Sequence, residues 1–329
     1  MRAPRFPALA VLLPLAACAG VQSALDPAGG EAGRIHTLSI VLFVLCTVIF
    51  VAVAVLAALA LFGSDEWRSR LASERLVFAL GVVFPVLTLV GLVLYGVTIM
   101  GMAAEPAGAG RDALRIEVSG ERWWWRVTYI TEDGVRIESA NELRIPAGQP
   151  VPIELTSADV IHSFWVPQLA GKLDMIPGRT NTLTLHVREP GISRGQCAEY
   201  CGGPHALMSF FVIAMTEDDF AAWLLKEASE ARPPAGEAAV QGHALFLASG
   251  CGGCHAVRGT GAAGVIGPDL THVGSRHSLA AASLPNDAPS FARWIRDGQH
   301  VKPENLMPPY GIFTDAELAS LADYLDHLD

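Results

Sequence analysis

Two long stretches of this chain carry no formal charge: Ile35 to Phe62 is 28 residues and Leu76 to Ala104 is 29. About 20 apolar residues cross a bilayer, so each stretch predicts a transmembrane helix with length left over for tilt. Pro85, inside the second, predicts a kink. The connector Gly63–Arg75 holds Arg68, Arg70 and Arg75, and the positive-inside rule places it in the cytoplasm. Everything from Glu105 onward is then expected on the outer face. Ahead of the hairpin, Arg2 and Arg5 precede an apolar run from Phe6 to Ala17, the basic start and short apolar core of an export signal.

From Ala113 the pattern turns to short β-rich runs: Leu114–Val118, Trp125–Ile130, Val151–Leu155, Asn181–Val187 and Phe210–Ala214. Gly and Pro punctuate them at Pro146-Ala147-Gly148, Pro177-Gly178 and Pro190-Gly191, which predicts a sandwich or barrel. Glu227–Ala238 is rich in Ala, Pro and Glu and reads as a short semi-rigid linker. Helical patterning follows over Ala238–Ala248. Thr314-Asp-Ala-Glu317 is a capping box that opens a closing helix with Leu318, Leu321, Leu325 and Leu328 on one face.

Composition narrows the class. Charged residues make up only 17 %, against about 25 % in soluble proteins, as membrane spans require. A net charge of −10 argues against nucleic acid and for a basic partner. The two spans contain one histidine, His36, so they supply neither a bis-histidine haem site nor a three-histidine copper site. An oxygen-reducing centre, if the complex has one, belongs to another subunit.

An even count of six cysteines in an exported chain invites a disulfide framework, but four of them fall in more specific patterns. Cys197-Ala-Glu-Tyr-Cys-Gly-Gly-Pro-His-Ala-Leu-Met208 sets two thiols, an imidazole and a thioether at close spacing. Thiolate and thioether select reduced copper, whereas zinc has little use for methionine. His162, in His162-Ser-Phe-Trp-Val-Pro167, is the candidate further ligand. A Cys197–Cys201 disulfide, a zinc site and a single blue-copper site are the alternatives. Gly120-Glu-Arg-Trp-Trp-Trp-Arg126 is unusual too: strand side chains alternate, so at least one of the three tryptophans must face outward. Cys251-Gly-Gly-Cys-His255 is the haem c attachment pattern, with two thiols for the vinyl groups and His255 for the iron. Met307, in Asn305-Leu-Met-Pro-Pro-Tyr310, is the expected distal ligand, favoured over His272 or His300. His186, His243 and His327, like His277, read as surface or core residues.

The pattern C-x-E-x-C-G-x-x-H-x-x-M with an upstream H-S-x-x-V-P resembles the CuA domain of cytochrome oxidase subunit II, and the likeness runs from residue 35 to about 225. It implies a cupredoxin-like antiparallel β-barrel or sandwich. Cys197 and Cys201 would bridge two copper ions, His162 and His205 cap one each, Met208 bind one weakly and the Glu199 carbonyl the other. The Glu199 carboxylate would help hold magnesium against subunit I. By the same resemblance Trp123 is the point where electrons enter, and Glu74 is the mouth of a proton path, although it lies about one turn further upstream of Pro85 than the family pattern places it. Asp174-Met-Ile-Pro-Gly-Arg179 matches the family as well, and as residues alone it reads as a turn with a local ion pair. Residues 237–329 resemble an all-α class I cytochrome c, where the Pro268 carbonyl would accept a bond from the haem histidine. Leu15-Ala16-Ala17-Cys18 resembles a lipobox, which implies lipidation at Cys18.

The expected chain is a multi-domain membrane protein: a lipoprotein-type signal over 1–17, a two-helix hairpin over 35–104, a copper domain over 111–226, a linker over 227–236 and a cytochrome domain over 237–329. The resemblance implies the electron-input subunit of a caa-type oxidase in a bacterial inner membrane, with subunits I and III and a cytochrome c-like donor as partners. A nitric oxide reductase using the same input module and a stand-alone membrane-anchored carrier are the alternatives. Cys46 has no role beyond packing.

Overall fold

The computed structural model describes residues 19–103 and 115–329, so the export signal and Cys18 lie outside the described residues. Two compact units divide the chain. One comprises the apolar helices from Gly33, and the other the rest.

Helix α1 runs Gly30–Phe62 with mean hydropathy 3.2 in its most apolar window. At 1.5 Å per residue it is about 50 Å long, more than the ~30 Å hydrocarbon core requires. Its few polar side chains are satisfied locally: Thr37, Ser39 and Thr47 each donate to the carbonyl four residues back, as a medium without water demands. The connector is not open coil. It holds a short helix, α2 (Asp65–Leu71), on which Arg70 pairs with Glu66 at 2.5 Å. The second span is α3 (Glu74–Phe78), a π-helical stretch (Ala79–Val83) and α4 (Phe84–Ala103). The widened stretch sits directly ahead of Pro85, whose missing N–H and bulky ring break the ordinary helical ladder.

The β domain is a sandwich of ten strands. One sheet contains β1 (Arg115–Glu121), β2 (Trp124–Ile130), β3 (Arg136–Ala140), β5 (Pro150–Ser157) and β8 (Asn181–His186), in the order β3-β2-β1-β5-β8. The other contains β4 (Glu142–Pro146), β6 (His162–Trp165), β7 (Leu173–Met175), β9 (Gly191–Cys197) and β10 (Ser209–Met215), in the order β4-β10-β9-β6-β7. Most pairings are antiparallel, as expected, and β1–β5 and β4–β10 run parallel, one pairing in each sheet. Over their described residues the five runs foreseen from the sequence are strands, except that Val187 lies just past β8 and makes only a bridge. β3, β4, β6, β7 and β9 are short or polar enough to have escaped the pattern. Trp125, Tyr129, Phe164 and Phe210 fill the core, all below 3 % exposure. Helix α5 (Glu217–Ala228) closes one end through Phe220 and Trp223, whose rings meet Tyr129 tilted and edge-on. Residues 21–29 also belong to this body: Arg194 N–H donates to the Val21 carbonyl at 2.6 Å, and Gly29 bridges to Val187.

The last domain packs α6 (Glu237–Ala248) and α7 (Ala288–Val301) against α8 (Asp315–Asp326). A two-residue ladder, β11 (Ser278–Leu279) with β12 (Leu284–Pro285), and an isolated bridge between Ala256 and Ala263 depart from all-α structure. The linker is tied down rather than free: Arg258 donates to the Glu227 and Ser229 carbonyls and accepts from Ala231 N–H at 3.0 Å.

Candidate metal and haem centres

The loop between β9 and β10 folds Cys197, Cys201, His205 and Met208 back toward His162, at the start of β6. The two Sγ atoms lie 3.8 Å apart. His162 Nδ1 is 3.8 Å from Cys197 Sγ, and His205 Nδ1 is 3.4 Å from Cys201 Sγ. The Glu199 carbonyl is 3.2 Å from Cys197 Sγ and Met208 Sδ is 3.8 Å from Cys201 Sγ. Two sulfurs therefore stand at the centre, each flanked by one imidazole and one weaker donor. Cys197, Cys201 and Met208 are buried and His162 is fully so. Cys197 is not bonded to Cys201, so the disulfide alternative is not the state seen.

The electrostatics suit a metal. The Cys197–Cys201 contact holds the Cys197 thiol far below its ordinary range against the cost of burial, and the same contact pushes Cys201 up. A cation held between the two sulfurs would require both as thiolates. His162 Nε2 bonds to Asp159 Oδ1 at 2.8 Å, leaving the Nδ1 lone pair aimed at the sulfurs. Burial disfavours the charged imidazole, but the bonds to Cys197 and Asp159 outweigh it and raise its pKa. Asp159 was missed in the sequence, where the only signal is an acidic residue three before the histidine. Gly120 is explained by contact: a Cβ there would meet the His162 ring at 2.8 Å.

The tryptophans divide as alternation demands. Trp123 and Trp125 are buried, while Trp124 faces outward under the Arg126 guanidinium, 4.7 Å from its ring centroid. Trp123 Nε1 donates to the Cys201 carbonyl at 3.0 Å, and its ring lies against Gly202, whose φ of +118° and missing Cβ permit the approach. The Glu199 carboxylate lies 3.5 Å from Lys172, which also pairs with Asp174 at 3.3 Å. The local ion pair of the Asp174 turn is with Lys172. Glu74 is the exposed first residue of α3, behind Ser73.

In the last domain Cys251, Cys254 and His255 share one cavity of about 480 Å³ with Met307. Phe291 and Leu321 are among the side chains that make its wall apolar. His255 Nδ1 donates to the Pro268 carbonyl at 2.8 Å, so Nε2 is free for iron. Burial lowers its pKa and so disfavours the charged ring. Met307 is positioned by neighbours the sequence did not single out: Asn305 Oδ1 accepts its N–H at 3.0 Å, and Gln299 donates to its carbonyl at 3.3 Å. Arg276 lines the same cavity, and its buried Nε has no partner, as expected where an anionic haem edge would lie. These residues fit a covalent haem. His272, by contrast, is buried between the carbonyls of Asp329 and Ser229 and His300 is exposed.

A membrane-anchored β-sandwich with a soft-donor cluster, joined to a haem-attachment domain, defines a membrane-bound electron-transfer protein. Residues 131–215 match the family described as cytochrome c oxidase subunit II, periplasmic domain, and residues 239–329 match cytochrome c. The chain is 36 % identical to cytochrome c oxidase subunit 2 of Alkalihalophilus pseudofirmus, over 99 % of this chain and 97 % of that one. It is 29 % identical to the Bacillus subtilis subunit 2, over 93 % and 91 %. Among solved structures, the periplasmic domain of cytochrome oxidase subunit II from Bradyrhizobium japonicum aligns with 29 % identity and a TM-score of 0.33, over 36 % of this chain and 95 % of that one.

The chain belongs to the cytochrome c oxidase subunit II family, in the form that carries a cytochrome c domain. Membership assigns it an electron-transfer role in a haem–copper oxidase, with copper and haem c as cofactors and subunit I as partner. The two apolar helices anchor it in a membrane and its soluble part lies outside.

Proposed function

We propose that this chain is the electron-input arm of a proton-pumping terminal oxidase. The observation that carries the reading is the symmetric donor cluster around Cys197 and Cys201. His162, Cys197, Cys201, His205, Met208 and the Glu199 carbonyl would hold two coppers, and Cys251, Cys254, His255 and Met307 the haem. When bound, each centre takes up and releases single electrons, so that charge enters on the haem side, crosses to the copper side and leaves to subunit I for reduction of O2 to water.

The protein's own contribution is rigidity and dryness. Buried sulfur donors keep their geometry in both oxidation states. Asp159 orients His162, and the Pro268 carbonyl orients His255. Trp123 lines the haem cavity and bonds to the copper loop, which suits it to couple the two. The Glu199 carboxylate, once swung from Lys172, offers magnesium a ligand at the subunit I face, and Glu74 the mouth of a proton path. Subunit III, a bacterial inner membrane, multi-pass topology, lipidation at Cys18 and the domain limits given above complete the reading.

Metal and haem analysis of the purified complex tests it. Two coppers per covalent haem c, with mixed-valence copper absorption, and turnover with O2 are expected. Haem without copper would reduce the β domain to a scaffold, and turnover with nitric oxide in place of O2 would transfer the chain to the reductase alternative.

A further inference from the structure

The copper and haem domains share a contact, and a buried cation sits in it. Lys302 follows α7 and is 3 % exposed. Its ammonium donates to the Trp123 carbonyl at 2.6 Å and to the Ala280 carbonyl at 3.3 Å. Among the described residues two carbonyls hold it and no carboxylate pairs with it. Burial pulls its pKa down to about 7, a measure of how poorly the site suits a cation. An apolar side chain of similar length would avoid that cost, so the value of the ammonium lies in what it holds.

What it holds is Trp123, whose indole goes on to bond the Cys201 carbonyl. Two hydrogen bonds through one residue thus connect the end of α7 to the copper loop. The neighbouring chain reinforces the link. Glu304, in a left-handed conformation with φ +64°, lays its carboxylate where a Cβ on Gly203 would stand, 2.6 to 2.7 Å away. Ala280, Ala281 and Ala282 are all left-handed, with φ of 52°, 58° and 61°. Their carbonyls accept in turn from Lys302, from Ser209 N–H at 3.3 Å and from Arg194 at 3.5 Å. Three successive alanines in a conformation that L-residues avoid persist only where the surrounding contacts hold them.

We infer that Lys302 is a positioning residue for electron transfer between the two soluble domains: it fixes the main chain of Trp123, and through it the indole on the copper loop, so that the haem domain sets the geometry of the path it feeds. The inference rests on reading Trp123 as that path. When protonated, the ammonium also favours an electron on the copper side of the contact, so the potential is compared below about pH 7.

The test uses the intact oxidase complex with Lys302→Met. After flash reduction of haem c, electron transfer to copper is followed optically, alongside copper content, haem content and the copper midpoint potential. With both cofactors retained, the transfer is expected to slow by about tenfold or more, as when a placement is lost by ~1 Å, and the copper potential to fall. Reduction of haem c by an external donor stays unchanged. Arg144→Gln is the control, since Arg144 donates to the Ser275 carbonyl elsewhere in the same contact. Equal slowing in it would assign the effect to docking in general and overturn the role of Lys302. Trp123→Phe separates the two readings. Slowing there without slowing in Lys302→Met overturns the inference and leaves the path intact, and slowing in neither overturns both. Should the Met variant lose a cofactor, Lys302→Gln is read for the same rate and potential, with the same outcomes.

Discussion

His162 presents opposite edges of its ring to two different partners: Nε2 lies 2.8 Å from Asp159 Oδ1, while Nδ1 lies 3.8 Å from Cys197 Sγ. The carboxylate sets the tautomer and the direction of the lone pair at once. Asp159 is itself held by the Val160 and Arg122 amides at 2.6 and 2.7 Å. Burial pushes its pKa up, but the bonds to His162 and to these amides outweigh it, so it stays below 3.8. Its support for His162 is therefore full above the ordinary carboxylate range and is lost only as pH falls through that depressed value. Asp159→Asn keeps the shape and removes the charge. Copper affinity, measured by competition with a chelator at neutral pH, is expected to fall by about 10- to 100-fold. An unchanged affinity would mean that backbone packing alone orients the ring.

The closing helix opens on a capping box. Glu317 accepts from both the Thr314 amide and hydroxyl at 2.8 Å, and Thr314 Oγ1 accepts from Glu317 N–H at 3.3 Å. That helix carries Leu321 and Leu325 into the cavity wall. The bond from the Thr314 amide lowers the Glu317 pKa from 4.5. A depressed carboxylate stabilises the fold above its unfolded value, and the contribution disappears as pH falls through the folded one. Glu317→Gln is thus expected to lower the melting temperature of the haem domain at neutral pH, followed by the haem band. The difference from the parent should close below about pH 4.5. A gap that persists into acid would assign the effect to lost packing.

Donor binding should depend on salt. Residues 237–329 carry ten acidic and five basic side chains. Of those five, Lys302 and Arg276 are buried, and Arg258 is paired with Asp269 at 2.7 Å. The exposed surface of the haem domain is accordingly more acidic than the raw count. A basic soluble donor should associate more slowly as ionic strength rises, in stopped-flow reduction of haem c. A rate independent of salt would point to an apolar contact such as the one Leu306 and Ile266 could offer beside the cavity, 75 % and 67 % exposed.

Much of the chemistry was legible because its signals are local. Cys197 to Met208 and Cys251 to His255 each place several ligands within a few residues, and covalent spacing largely decides which atoms can converge. The hairpin was legible because charge-free runs of that length seldom occur outside a bilayer, and the capping box because it spans one turn. His162, 35 residues from Cys197, was a candidate only because the cluster wanted one more ligand from elsewhere, and spacing could not place it. Only the tertiary structure brought in Asp159, Arg276, Asn305 and Lys302. Each is an ordinary polar residue whose meaning depends on what a distant segment sets beside it. Lys302 and Trp123 are 179 positions apart, and the run of left-handed alanines between β11 and β12 has no compositional signature. The sequence by itself determined the kinds of ligand, the membrane spans and the order of domains, since those follow from residue chemistry and short-range periodicity. How the haem domain meets Trp123, and which buried charge holds it there, was decided by packing between surfaces, which depends on the whole fold rather than on any stretch of it.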